Sequence, residues 1–228
     1  MSNSPKPPVH LLSIDFDFWY PGKFEYPNIS PSHCGRCSIH KKCTYHPIPR
    51  PTLPVEECSE RYSERYKETL KFAPPSAIIK VIQPGCSIFA AECHADIARM
   101  MARQRRKFVV YDLDFHDDRF ESLYLKNNQL DPLDCGNWIL HAEKNAGADV
   151  CKLNRGHLED AANGKLVFDS IFVCKSSPYL LEEGDEPLYR FLLNIQKKSK
   201  TKIRFTGHRS EELKAEFQAF LERTVKVA

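Results

Sequence analysis

The sequence predicts an α/β domain in which a mainly parallel sheet is covered by helices on both faces. This is a three-layer sandwich, with a Cys/Pro-rich insertion after its first strand. Three observations carry that reading. Short apolar runs at Val9–Phe18, Phe108–Leu113, Ala148–Leu153 and Leu166–Cys174 have the length of buried strands. Segments of helical period alternate with them or follow them, and that alternation builds parallel sheets whose strands are apolar on both sides. The chain has 228 residues, 42% hydrophobic and 28% charged, which is the composition of one large globular domain. We therefore expect a single domain over 1–228 with the insertion at 19–54 inside it.

The elements follow in order. The run at Val9–Phe18 is bounded by Pro8 and Pro21 and reads as a strand. Trp19 to Pro54 has seven prolines and no periodicity, the texture of a long functional loop. Val55 to Phe72 carries Val55, Cys58, Tyr62, Tyr66 and Leu70 near one helical face and ends at Pro74-Pro75. Ala77 to Ile82 is rich in β-branched residues and reads as a strand, and Glu92 to Arg106 reads as a helix. Asp134 is placed to cap a helix carrying Trp138, Ile139 and Ala142 that Gly147 closes. Amphipathic helices are expected near Glu186–Lys197 and Ser210–Val225.

Composition excludes several function classes. A net charge of +3 is too mild to imply nucleic-acid binding. No stretch approaches the ~18 apolar residues of a membrane span. Met1 to Pro8 is polar and Pro-rich, unlike a secretory signal, so a cytoplasmic protein is expected. In that compartment its nine cysteines are thiols or metal ligands before they are disulfides. Oligomeric state is open.

Chemistry concentrates in three places. Asp114-Phe115-His116-Asp117-Asp118 follows an apolar strand. Strand side chains alternate, so Asp114 and His116 share a face, to which Asp118 can return as the chain leaves the strand. A solvated acidic turn is the plain reading of such a string. Its position where open α/β sheets place their ligands favours a site. Asp15 and Asp17, two apart in an apolar run, are costly to bury without a partner, although a wet strand face would also accommodate them. His94, within Glu92-Cys93-His94, is by itself a packing or capping histidine as readily as a ligand. Together, Asp15, Asp17, His94, Asp114, His116 and Asp118 make four carboxylates and two imidazoles. That donor set suits two Mn²⁺ ions better than Zn²⁺, because it contains no thiolate. Such a pair supplies hydroxide at neutral pH.

These residues resemble the arginase–deacetylase (ureohydrolase) superfamily, in which a single His, a DxHxD strand end and a DxD strand end bind two Mn²⁺. A nearer resemblance is to the UPF0489 group. Its members carry a helix-borne His like that in Glu92-Cys93-His94, a D-x-H-x-D strand end, a Gly-Asn-Trp-Ile motif (Gly136-Asn137-Trp138-Ile139) and an Ile-Asp-x-Asp-Phe motif (Ile14 to Phe18). Some bacterial members are peptide arginases, which convert arginine side chains of ribosomal precursor peptides to ornithine and release urea. The likeness touches short motifs over roughly residues 9 to 180. In arginase the DxD strand comes late in the chain, whereas here it comes first.

The resemblance implies an arginase-like fold and an Mn-dependent hydrolase acting on a guanidinium C–N bond of a precursor peptide. Asp118 would orient the nucleophile, His141 would serve as acid, and Asn137 and Trp138 would line the site. A helix-surface role for His141 and a core role for Trp138 remain equally open at this point. Ser176-Ser177-Pro178 would border the same edge or form an ordinary strand-ending turn. The residue that holds the guanidinium is unassigned among Glu92, Glu182 and Glu183. A small-molecule ureohydrolase or deacetylase on the same scaffold is the alternative within enzymes. A non-catalytic binding module is the alternative outside them.

That last alternative draws on the insertion. Cys34-Gly35-Arg36-Cys37 is half of a zinc knuckle, and His40 and Cys43 follow at an irregular spacing. A structural Zn²⁺ on Cys34, Cys37, His40 and Cys43 competes with free thiols and with disulfides. A bound zinc would staple a Pro-rich loop that has little core of its own.

Overall fold

The structure, a computed structural model, describes residues 6–20, 71–104, 106–113, 124–125, 129–130, 133, 137–177, 180 and 182–226, with 124–125, 129–130, 182 and 225–226 described in backbone only. Six strands form one parallel sheet: β1 (Val9–Asp15), β2 (Ser87–Ala91), β3 (Phe108–Asp112), β6 (Asp149–Lys152), β7 (Ser170–Cys174) and β8 (Ile203–Phe205). Their spatial order is β6-β3-β1-β7-β2-β8. The short β4 (Tyr124–Leu125) and β5 (Gln129–Leu130) pair separately and antiparallel.

β1 sits near the middle because its sequence is apolar on both sides: Leu11, Leu12 and Ile14 are fully buried, as all of β7 is buried beside it. The edge strands β6 and β8 are short and half-exposed. In register, Ser13 lies opposite Asp112 on one side of β1, and Asp15 lies opposite Cys174 on the other. The chain runs from β1 to β2 on one flank and then to β3 on the other. The direction of winding therefore switches at β1, whose carboxyl end is where such sheets open a crevice.

Helices cover both faces. One face packs α1 (Pro75–Val81), α4 (Arg155–Ala162), α5 (Asp185–Ser199) and α6 (Ser210–Lys226) through Ile78, Leu158, Leu192 and Phe217. The other packs α2 (Ala95–Ala102) and α3 (Trp138–Ala146) through Ile97, Met101, Trp138 and Ile139. The expected three-layer α/β sandwich is thus what the chain forms.

Several boundaries differ from the sequence reading. Ala77–Ile82 is helix and not strand. Pro74 is extended at its N-cap, Pro75 starts the first turn, and Ile78, Val81 and Ile82 reach the core at helical spacing. The strand comes after the turn at Gly85, as Ser87–Ala91. Helix α2 begins only at Ala95, leaving Glu92-Cys93-His94 as a turn above the sheet. Asn137, not Asp134, is the N-cap of α3, while Gly147 closes it in the left-handed conformation at φ 60. β7 starts at Ser170 and not at Leu166. Helix α4, with its Asn154–His157 capping box, and strand β8 were not anticipated.

The insertion expected at 19–54 lies outside the described residues except for Trp19 and Tyr20, as does the helix expected over 55–72 except for its helical last two residues. Trp19 is buried and donates its indole N–H to the Ala73 carbonyl at 2.9 Å. That bond holds together the two points flanking residues 21–70.

Candidate functional site

Alternation along β1 puts Leu11, Ser13 and Asp15 on the face covered by α2 and α3. The apolar part of that face ends at Leu11, so Ser13 and Asp15 bring polar groups to the carboxyl edge. The chain then turns into a short 3₁₀ segment, Phe16–Phe18. Asp17 therefore belongs to this turn and not to the strand, which corrects the reading of Asp15 and Asp17 as strand neighbours. The two still meet, through a side-chain hydrogen bond. Carboxylates so placed need a proton or a cation between them.

His94 reaches this point from the turn after β2, passing over the end of β7. Its ring is 4% exposed and stacks on Trp138, with centroids 4.6 Å apart, and more distantly on Phe172 at 6.0 Å. His94 Nε2 is 2.8 Å from Ser13 Oγ and 3.7 Å from Asp112 Oδ1. Its Nδ1 is 3.2 Å from Asp15 Oδ2. Burial pushes the Asp15 carboxyl upward, but the charge and hydrogen bond of His94, helped by Asp17 and Ser176, outweigh it and hold the group at about 2. Asp15 is therefore an anion throughout the neutral range. Its Oδ1 is buried and has no hydrogen-bond partner among the described residues.

The rim comes from the ends of β2 and β7. Ser176 has a left-handed backbone, φ 48, and its N–H donates to the Glu92 carbonyl at 3.1 Å. The Ser177 N–H donates to Glu92 Oε1 at 3.1 Å. Burial raises the Glu92 carboxyl, against the lowering effect of Ser177, Lys175 and Arg209. Ser176 Oγ lies 3.1 Å from Cys174 Sγ. The serines expected at this edge are thus built into it.

Ser13, His94 and Asp15 have the connectivity of a hydrolase triad, but Ser13 cannot act as a nucleophile. It is fully buried in a strand paired on both sides, where no substrate carbon can approach it.

Comparison with protein-family models, with curated proteins and with solved structures finds no match for this chain. Asp15 and Asp17 at the end of β1 are brought together with the distant His94. Trp138 joins them as the ring beneath His94, with the buried Asn137 beside it at the start of α3. His141 lies one turn further along α3, partly exposed, with Nδ1 3.2 Å from Asn145 Nδ2. Asp114, His116 and Asp118 lie outside the described residues, as do Cys34, Cys37, His40 and Cys43. Among the described residues no three His, Cys, Asp or Glu side chains form a complete metal-binding group. Sequence reasoning missed Ser13 and Asp112. For Ser13 a signal was present, because it stands two residues before Asp15 and so shares its strand face.

Proposed function

We propose that the carboxyl edge of the sheet is a divalent-metal centre and that the chain is a hydrolase of a guanidinium C–N bond, converting peptidyl arginine to ornithine with release of urea. The observation that carries the reading is the buried Oδ1 of the anionic Asp15, without a hydrogen-bond partner among the described residues, beside His94 and in hydrogen-bond contact with Asp17. A buried carboxylate with an unsatisfied oxygen costs free energy unless a cation meets it. The donors are oxygen and imidazole nitrogen, which fits Mn²⁺. Asp15, Asp17 and His94 would hold the ions together with Asp114, His116 and Asp118, whose segment begins two residues after Asp112.

Two bound cations supply a Lewis acid and a water of lowered pKa. The chain's own residues do the rest. The aspartates keep the edge anionic for a guanidinium that never loses its charge. Trp138 and Asn137 wall the site on the α3 side and exclude water. Asp118 orients the attacking water, and His141 gives a proton to the departing ornithine nitrogen. The thiols of Cys86, Cys151 and Cys174 form no disulfide, as suits the reducing cytoplasm proposed for this enzyme. Among the described residues no helix is long and apolar enough to cross a membrane.

The test is mass spectrometry of an arginine-containing precursor peptide incubated with the full chain and Mn²⁺. Each converted arginine loses about 42 Da, the mass that urea release removes after water is added. An unchanged peptide mass, with urea formed from free arginine or agmatine, would instead make the chain a small-molecule ureohydrolase.

A further inference from the structure

The two nitrogens of His94 face very different surroundings. On the Nε2 side stand Ser13 Oγ at 2.8 Å and Asp112 Oδ1 at 3.7 Å, on adjacent strands in direct register. Ser13 is 0% and Asp112 1% exposed, so that side is closed. On the Nδ1 side stands Asp15, whose buried Oδ1 has no hydrogen-bond partner among the described residues. Trp138 and Phe172 stack on the ring and fix its plane.

We propose that Ser13 is the positioning residue that lets His94 serve a cation through Nδ1. This rests on the metal reading above. A carboxylate cannot donate, so without a cation Nδ1 carries a hydrogen toward Asp15, while Nε2 meets the Ser13 hydroxyl. To bind a cation, Nδ1 must give up its proton and offer a lone pair, and the ring then keeps its hydrogen on Nε2. The Ser13 hydroxyl can rotate and accept that hydrogen, because a hydroxyl both donates and accepts. One buried side chain thus satisfies the ring in either tautomer. Asp112 on the same side favours the Nε2–H form, as a carboxylate behind a ligating histidine does.

The experiment is Mn²⁺ titration of the metal-stripped full chain by calorimetry, together with ¹⁵N chemical shifts of the His94 ring with and without Zn²⁺ as a diamagnetic cation. Ser13→Ala is expected to weaken Mn²⁺ binding about 10–100-fold, while Ser13→Thr, which keeps the hydroxyl, retains wild-type affinity. In the wild type Nδ1 is expected to carry a hydrogen without cation and to have lost it with the cation bound, when the ring hydrogen sits on Nε2. This second readout needs no variant to fold. Equal Mn²⁺ affinity in the wild type and Ser13→Ala, or a His94 that keeps its Nδ1 proton with Zn²⁺ bound, would overturn the role of Ser13 alone. A wild-type chain that binds neither cation would overturn the metal reading with it.

Discussion

Asp15 and Cys86 show how one cost, desolvation, has opposite outcomes at opposite ends of the sheet. Burial works to raise both groups. At Asp15 the adjacent His94 reverses the sign and the carboxyl falls from 3.8 to about 2. At Cys86 the charge of Asp169 adds to burial and lifts the thiol to about 12. A carboxyl lowered on folding stabilises the native state above its unfolded pKa, and that contribution is lost as pH falls. For Asp15 the loss falls between pH 3.8 and about 2. Acid titration of stability should therefore be shallower over that window in Asp15→Asn. The thiol behaves in the opposite sense and stays neutral, so Cys86 should resist iodoacetamide at pH 8–9 in the native chain and react after denaturation, as peptide mapping can read. His141→Phe should lower peptide turnover about 10²–10⁴-fold at saturating Mn²⁺ if the residue supplies the leaving-group proton. Unchanged turnover would leave it a helix-surface histidine held by Asn145. Of the site, Asp15, Asp17 and His94 were legible because polar residues in apolar runs demand an explanation. Ser13 was harder to read despite its spacing to Asp15, because a serine in a strand raises no such demand until its partner is known.

At the scale of elements, two glycines separate conformational cost from steric cost. Gly147 ends α3 at φ 60, and a Cβ there meets nothing within 4 Å. Gly147→Ala should therefore cost about 1 kcal/mol, the penalty of the left-handed backbone alone. Gly207, after β8, has φ +82, and a Cβ there would fall 1.8 Å from Asp96 Oδ2. Asp96 cannot retreat easily: it is buried, and its other oxygen accepts from Arg99 at 2.5 Å. Gly207→Ala should add overpacking to strain and cost about 2–3 kcal/mol. Chemical denaturation of both variants checks the order. The same contrast between local and tertiary signals explains which elements could be read. Gly147 announced the end of α3, and the long amphipathic helices α5 and α6 were found within a residue or two. Ala77–Ile82 misled because Ile78 and Ile79 favour strands locally, whereas Pro75 and the core beneath Ile78 and Val81 decide for helix. Strand β8 is three half-exposed residues, and its identity comes from pairing with β2 and not from its own pattern.

For the whole molecule, the parallel sheet was legible from alternation of strands and helices, but its strand order was not. Nothing in the string Val9–Asp15 says that β3 will pair on one side of it and β7 on the other. That order nevertheless makes the site, since it sets Ser13 beside Asp112 and leaves the end of β1 open for a histidine arriving from β2. A cation bound there links the ends of strands far apart in sequence and binds only the folded state. At 100 times the dissociation constant it should add about 2.7 kcal/mol, raising the melting temperature by about 5–10 °C, with chelator reversing the change. The most direct measurement is the Mn²⁺ content of the full chain after equilibrium dialysis, set against Asp15→Asn. The account predicts about two ions per wild-type chain and loss of bound Mn²⁺ in the variant. A wild-type chain that holds no Mn²⁺, or an Asp15→Asn chain that keeps the full complement, would contradict it.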